Sequence, residues 1–269
     1  MTEELRVRNY SERTVRSYLS SISQLSLYYK ISPDKITRDQ VKSYAYHLIH
    51  SEHASVSRIN QLISAWKILQ VDVLGNQWEE IRLKRPRREK NIPQVLSQDE
   101  ALALIGVLSN LKHRMILTLA YVTGIRRAEL LNLKLKDIDS SRGVIRIIQG
   151  KGNKSREVPV SKILIAHLRE YYKYYRPKTY LFEGRPGKPY SASSVENITK
   201  KAAKKAGIKK AVSPHILRHS FATHMLDEGV NLKRLQKILG HNALRTTSIY
   251  LHLSNPDSID LPDLLSPKK

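Results

Sequence analysis

Residues 84–94, Lys-Arg-Pro-Arg-Arg-Glu-Lys-Asn-Ile-Pro-Gln, hold no pattern that packs. Two prolines remove backbone donors and push the residues before them toward extended conformations, while the crowded basic side chains seek water. The chain must therefore fold on either side of this stretch. We expect a basic linker over 84–94, either solvated or laid along a phosphate backbone. It would join a unit over residues 1–83 to a unit over 95–269.

The first unit reads as helical. From Ser11 onward Val15, Tyr18, Leu19, Ile22 and Leu25 recur at helical spacing, which predicts a helix over about 11–29. Ser32-Pro33-Asp34 ends it. Thr37 with Gln40 is a capping box that opens a second helix to about His50. A third helix is expected from Ser55 to Leu74, ended near Gly75, and a short fourth around Gln77–Leu83. This part of the chain shows no convincing strand.

In the second unit Ser97 with Glu100 opens a helix to about Ser109. Residues 112–122 are apolar almost throughout and read as a buried core helix, broken at Thr123-Gly124. Another helix begins at Arg127, and 134–141 reads as loop. β-Branched content marks 144–149 as a strand and 156–160 as its return, with Gly150-Lys151-Gly152-Asn153-Lys154 as the turn. Helices follow at 163–175 and 193–206. Ser213-Pro214 is a side-chain cap followed by proline at the first helical position. Gly229 stops that helix, Asn231 caps the next and Gly240 stops it. His241 thus sits just past a helix end, and Tyr250 in the early turns of a helix capped by Thr246. The chain is mainly α with a small β-hairpin.

Charge narrows the partners. Lys and Arg number 47 against 24 Asp and Glu, a net charge of +23. Residues 1–90 carry 16 basic and 10 acidic side chains, and the remainder 31 and 14. A chain like this meets polyanions through phosphate neutralisation. The basic residues are interleaved with helical patterns, unlike the low-complexity tails of a ribosomal-type protein. No apolar run is long enough to span a bilayer and no leader pattern opens the chain, so a soluble, cytoplasmic protein is expected. Cysteine is absent, which excludes disulfides, thiolate metal sites and a cysteine nucleophile.

His215 and Arg218 are three apart and share a helix face. With Arg126, Lys151 and His241 they lie at turns or helix starts, where side chains project into a shared cleft. Such a cationic cleft is what a tyrosine nucleophile at position 250 needs, because a phenol ordinarily ionises near pH ~10. Two arginines suit a phosphoryl centre, since each offers a fixed fork of donors. His215 and His219 have a zinc-like spacing, but Arg218 stands between them and no carboxylate sits where a zinc hydrolase needs one. No Gly-x-x-x-x-Gly-Lys-Ser/Thr frame is present. Neither a metal nor a nucleotide cofactor is expected.

These residues also carry a resemblance. Thr123-Gly124-Ile125-Arg126-Arg127-Ala128-Glu129-Leu130 resembles the first arginine motif of the tyrosine recombinase (phage integrase) family. Gly150-Lys151-Gly152-Asn153-Lys154-Ser155-Arg156 resembles its β-hairpin lysine motif, and His215-Ile216-Leu217-Arg218-His219 its His-x-x-Arg box. Leu239-Gly240-His241, with Tyr250 nine residues later, resembles its last box. The Tyr-Ser-x-x-Thr-Val start at 10–15 extends the likeness to nearly the whole chain, most like the Xer-type, small-integrase branch.

The resemblance implies a two-domain DNA clamp: a helical, SAM-like core-binding domain over 1–83 and a catalytic domain over 95–269. It implies a site-specific recombinase working on double-stranded DNA at a specific site. Tyr250 would attack a phosphodiester and form a 3′-phosphotyrosine. Arg126 and Arg218 would hold the non-bridging oxygens, and Lys151 would protonate the leaving 5′ oxygen. His215 would act as general base and His241 would donate to the phosphate. A homo-tetramer, nucleoid-associated, would exchange strands through a Holliday junction, with the tail over 255–269 docked on a neighbouring protomer. Arg127 would pair or contact phosphate. His219, His224 and His252 would be structural or at the surface. The alternatives are a type IB topoisomerase-like strand transferase and a non-catalytic DNA-binding regulator. The small N-terminal module and apolar tail argue against the first, and the complete catalytic set against the second.

Overall fold

The computed structural model describes residues 1–78, 84–86, 94–148, 155–241 and 243–252. The chain divides into two compact units, Met1–Asn91 and Ile92–Lys269. The hairpin turn with Lys151, most of the linker and the tail beyond His252 lie outside the described residues.

The first unit comprises α1 (Thr2–Val7), α2 (Glu12–Tyr29), α3 (Arg38–His50) and α4 (Val56–Lys67). Ser11, Thr37 and Ser55 each cap a helix by accepting the amide N–H three residues on, and Thr37 with Gln40 forms the reciprocal box. The helix expected to run to Leu74 changes instead at Lys67 into a π-helical turn over Ile68–Val73. Helix α1 lies outside what periodicity foresaw, being too short to show a repeat. Ile22, Leu25, Val41, Tyr44, Leu48, Ile59, Leu62 and Trp66 form the core. From the basic stretch, Arg85 donates to the Asn60 carbonyl at 2.9 Å and the Ser64 hydroxyl at 3.0 Å, both on α4.

The second unit holds α5 (Gln98–Gly106), α6 (Leu111–Thr123), α7 (Arg127–Asn132), β1 (Ile138–Asp139), β2 (Val144–Ile147) and β3 (Arg156–Pro159). Helices α8 (Lys162–Tyr175), α9 (Ala192–Lys205), α10 (Pro214–Asp227), α11 (Leu232–Leu239) and α12 (Leu244–Ser248) follow, then a 3-10 turn over Ile249–His252. The expected hairpin is present, β2 pairing antiparallel with β3 in the register Val144↔Pro159. β1 adds a third strand where a loop was expected, because two residues are too few to show alternation.

Helix α6 is the core element, as its composition predicted, and packs against α10. Its Val122 is the exception and lies exposed. Two sequence expectations about helix ends need correction. The Ser213 side chain makes no capping bond, so α10 starts on Pro214 alone. Tyr250 lies in the 3-10 turn that closes the segment, after an α12 that starts from Ala243 rather than Thr246.

Gly124 joins α6 to the turn before α7. Its φ is +59°, and a Cβ there would meet Phe221 Cδ1 at 2.2 Å and Leu239 Cδ2 at 3.1 Å. Gly124→Ala therefore combines left-handed strain of about 1–2 kcal/mol with overpacking of about 1–3 kcal/mol. We expect a stability loss of about 2–5 kcal/mol in urea unfolding. Gly106→Ala, with nothing within 4 Å of its Cβ, is the near-neutral control.

Candidate active site

The last turn of α11 gathers the site. A helix C-terminus leaves carbonyls without helical partners and carries partial negative charge. Here three successive carbonyls are each taken by a different arginine. Arg156 Nε donates to Ile238 O at 2.7 Å, Arg218 Nη2 to Leu239 O at 2.7 Å and Arg126 Nη2 to Gly240 O at 3.0 Å. Gly240 makes this end possible, closing α11 in the left-handed conformation with φ +63°. Residues far apart in the chain are thereby set in one place: the N-cap of α7, the first residue of β3 and the middle of α10.

A carboxylate locks the rack. Glu129 accepts both Arg156 Nη atoms, at 2.9 and 2.7 Å. It also accepts the Arg126 backbone N–H and Nη1, both at 2.8 Å. Burial alone would raise its pKa, but these bonds and the Arg156 charge override it and hold it at about 2. Its contribution to stability is therefore complete above its ordinary value near 4.5 and is lost as pH falls toward 2. In Glu129→Gln this share of the acid sensitivity should disappear. Urea unfolding at pH ~3 and ~6 checks it, the gap being narrower in the variant.

Arg218 is buried, 2% exposed. Besides Leu239 O, it donates to Gly124 O at 2.6 Å and to His241 Nε2 at 2.9 Å. Burial and then the Arg126 charge lower its pKa to about 10, so it stays cationic at neutral pH. His241 receives Arg218 on Nε2, so its Nδ1–H donates to Thr247 Oγ1 at 2.9 Å. Burial, then Arg218 and Arg126, lower the His241 pKa to about 4 and keep the ring neutral. Its donor faces Thr247.

Arg126, Arg218 and His215 line a pocket of about 230 Å³ together with Ile125, Arg127 and Ser213. His215 keeps an exposed edge, yet partial desolvation and the charges of Arg218 and Arg126 push it toward the neutral form. Arg127 pairs with Glu196 at the same pocket. Arg126, His215, Arg218, His241 and Tyr250 are thus brought together, while Lys151 lies outside the described residues.

Tyr250 is 2% exposed, and its ring stacks on His241 with centroids 6.3 Å apart. Its hydroxyl is 3.0 Å from Nδ1 of His219, which is half-buried rather than at the surface. Sequence reasoning set His219 aside. The available signal was its spacing: four residues after His215 and one after Arg218, it shares the helix face of the first. Burial raises the Tyr250 pKa, opposed by the charge and hydrogen bond of Arg218 and the charge of Arg126. His224 is structural, bridging Leu96 O at 3.0 Å and the Tyr121 hydroxyl at 2.8 Å.

Residues 94–256 match the phage integrase family, and residues 1–80 match the N-terminal SAM-like domain of phage integrases. The chain belongs to the phage integrase family. Among this integrase's relatives, a putative integrase/recombinase of Sinorhizobium fredii is 36% identical over 94% of this chain and 83% of its own. A tyrosine recombinase of Thermosipho africanus is 35% identical over 94% and 93%. The crystal structure of XerA recombinase superimposes with a TM-score of 0.57 at 30% identity, covering 96% of this chain and 93% of that one. XerH site-specific recombinase bound to difH substrate, at 22% identity over 90% and 76%, shares the fold with a TM-score of 0.70. The integrase is a tyrosine-type site-specific recombinase with Xer-type relatives. Its mainly helical fold, with a SAM-like first unit and a catalytic second unit, agrees with the expected class. Among the described residues no helix is long and apolar enough to cross a membrane, and no cluster of His, Asp or Glu is placed to hold a metal ion.

Proposed function

We propose that this recombinase cuts and rejoins double-stranded DNA at a specific site through Tyr250. The observation that carries the reading is the pairing of Arg126 and Arg218 at one small pocket, both cations acting on the buried Tyr250 hydroxyl. A scissile phosphate entering the pocket meets two guanidinium cations held in place by protein acceptors, positive charge beside the oxygens where negative charge builds. His215, lining the same pocket, meets those oxygens too. The Tyr250 oxygen attacks phosphorus, a 3′-phosphotyrosine forms, and the 5′ oxygen leaves with a proton from Lys151. The bond energy stays in the phosphotyrosine, so rejoining needs no nucleotide.

The net charge of +23 supplies the sequence-independent part of DNA affinity. Strand exchange between two duplexes takes four protomers and a Holliday junction, with the tail over 255–269 reaching a neighbour. A nicked suicide duplex, carrying a site selected on the full-length protein from random sequence, tests the reading. Covalent trapping is expected, and its absence would favour a binding regulator. Junctions between two duplexes are expected as well. Trapping without junctions would favour a topoisomerase-like enzyme.

A further inference from the structure

Once Tyr250 is taken as the nucleophile, its proton needs a destination. The resemblance names His215, but His215 lines the phosphate pocket, and the ring on the hydroxyl belongs to His219. The Tyr250 oxygen stands between two groups on α10. His219 Nδ1 lies 3.0 Å from it, where the tautomer with hydrogen on Nε2 accepts the hydroxyl proton, and the Arg218 cation favours the oxygen's charged form. An acceptor for the proton and a cation for the oxygen left behind are what a buried phenol requires before it attacks. We propose that His219 is a catalytic residue of this recombinase: the general base that takes the Tyr250 proton on cleavage and returns it on rejoining. This rests on the nucleophilic role of Tyr250.

The step balances. The Tyr250 O–H bond breaks and its proton passes to His219 Nδ1, which forms an imidazolium with the Nε2–H already present. The Tyr250 oxygen bonds phosphorus as the bond to the 5′ oxygen breaks, and that oxygen takes a proton from Lys151. On rejoining, the 5′-hydroxyl attacks phosphorus, the tyrosine oxygen departs and His219 Nδ1–H protonates it. No oxidant, metal or nucleotide enters.

The surroundings make this base responsive to substrate. The groups facing His219 are His215 and Arg218 on α10, Tyr250 on the 3-10 turn and His241 beyond α11. His215 packs edge-on, ring centroids 4.4 Å apart. Burial, then His215 and Arg218, lower the His219 pKa to about 4, so without DNA the ring is a neutral acceptor across the physiological range. A phosphodiester between Arg126 and Arg218 brings a negative charge that offsets this cationic field. The imidazolium is then favoured only when there is a phosphate to attack.

The test uses full-length protein and the selected nicked duplex in single-turnover cleavage. His219→Asn keeps an acceptor near the position of Nδ1 but takes no proton. Cleavage should fall about 10²–10³-fold with duplex binding unchanged, within the range of a lost general base. Placing 3,5-difluorotyrosine at position 250 makes the phenol more acidic, so it depends less on a base. The loss caused by His219→Asn should then shrink at least about tenfold. Cleavage by His219→Asn near the wild-type rate, or an equal loss with both phenols, overturns the proposal. If His219→Asn binds the duplex poorly, His219→Gln is measured in the same two backgrounds under the same criteria. Tyr250→Phe separates the two readings, because covalent attachment by that variant would sink the nucleophile itself.

Discussion

Tyr250→Phe should bind the duplex as the wild type does and form no covalent product. The ring is retained, so the stack on His241 and the buried packing stay in place. Only the oxygen goes, and with it the sole atom able to bond phosphorus at that position. The cost to folding is small by comparison. His219 Nδ1 loses a partner, which is worth about 1–3 kcal/mol for a group left buried and unsatisfied. Denaturing gels read the covalent product, and band shifts read the binding. A phosphotyrosyl band from the variant would place the nucleophile elsewhere in the chain.

Arg218→Lys should be the most damaging of the charge-conserving changes. One guanidinium holds Gly124 O, Leu239 O and His241 Nε2 and also lines the pocket shared with Arg126 and His215. A lysine offers a single compact ammonium that cannot span these acceptors. Loss of one oriented donor to a developing oxyanion costs about 10²–10³ in rate. Each buried carbonyl left without a donor adds about 1–3 kcal/mol of instability. Cleavage and melting temperature should therefore fall together. Arg127→Lys should leave both nearly unchanged, since its pairing with Glu196 is partly exposed and such pairs contribute about 0–1 kcal/mol. Wild-type cleavage by Arg218→Lys would remove this residue from the chemistry.

What was legible in the chain follows the range of the forces involved. Helix starts at Ser11, Thr37, Ser55 and Ser97 were readable because a cap is a contact between residues three apart. The core helix α6 and the β2–β3 pair were readable from composition. The π turn after Lys67 was not, since its apolar spacing resembles that of the helix before it. Tyr250 was picked out by its fellows along the chain, yet its place in a 3-10 turn is set by packing against α10. His219 was passed over because the sequence names two histidines on one helix face and cannot say which one a later turn will meet. Arg156 and Glu129 were letters in two separate motifs. Nothing local says that they form a bidentate pair, or that the end of a third element completes it.

The three carbonyls that hold Arg156, Arg218 and Arg126 belong to residues 238–240. During translation they leave the ribosome long after Arg126 and Arg156 have done so. A nascent chain that ends before α11 lacks the carbonyls that anchor its three arginines, and it lacks Tyr250. The shared anchor of the three arginines is thus completed only late in synthesis, by residues that follow all three of them in the chain.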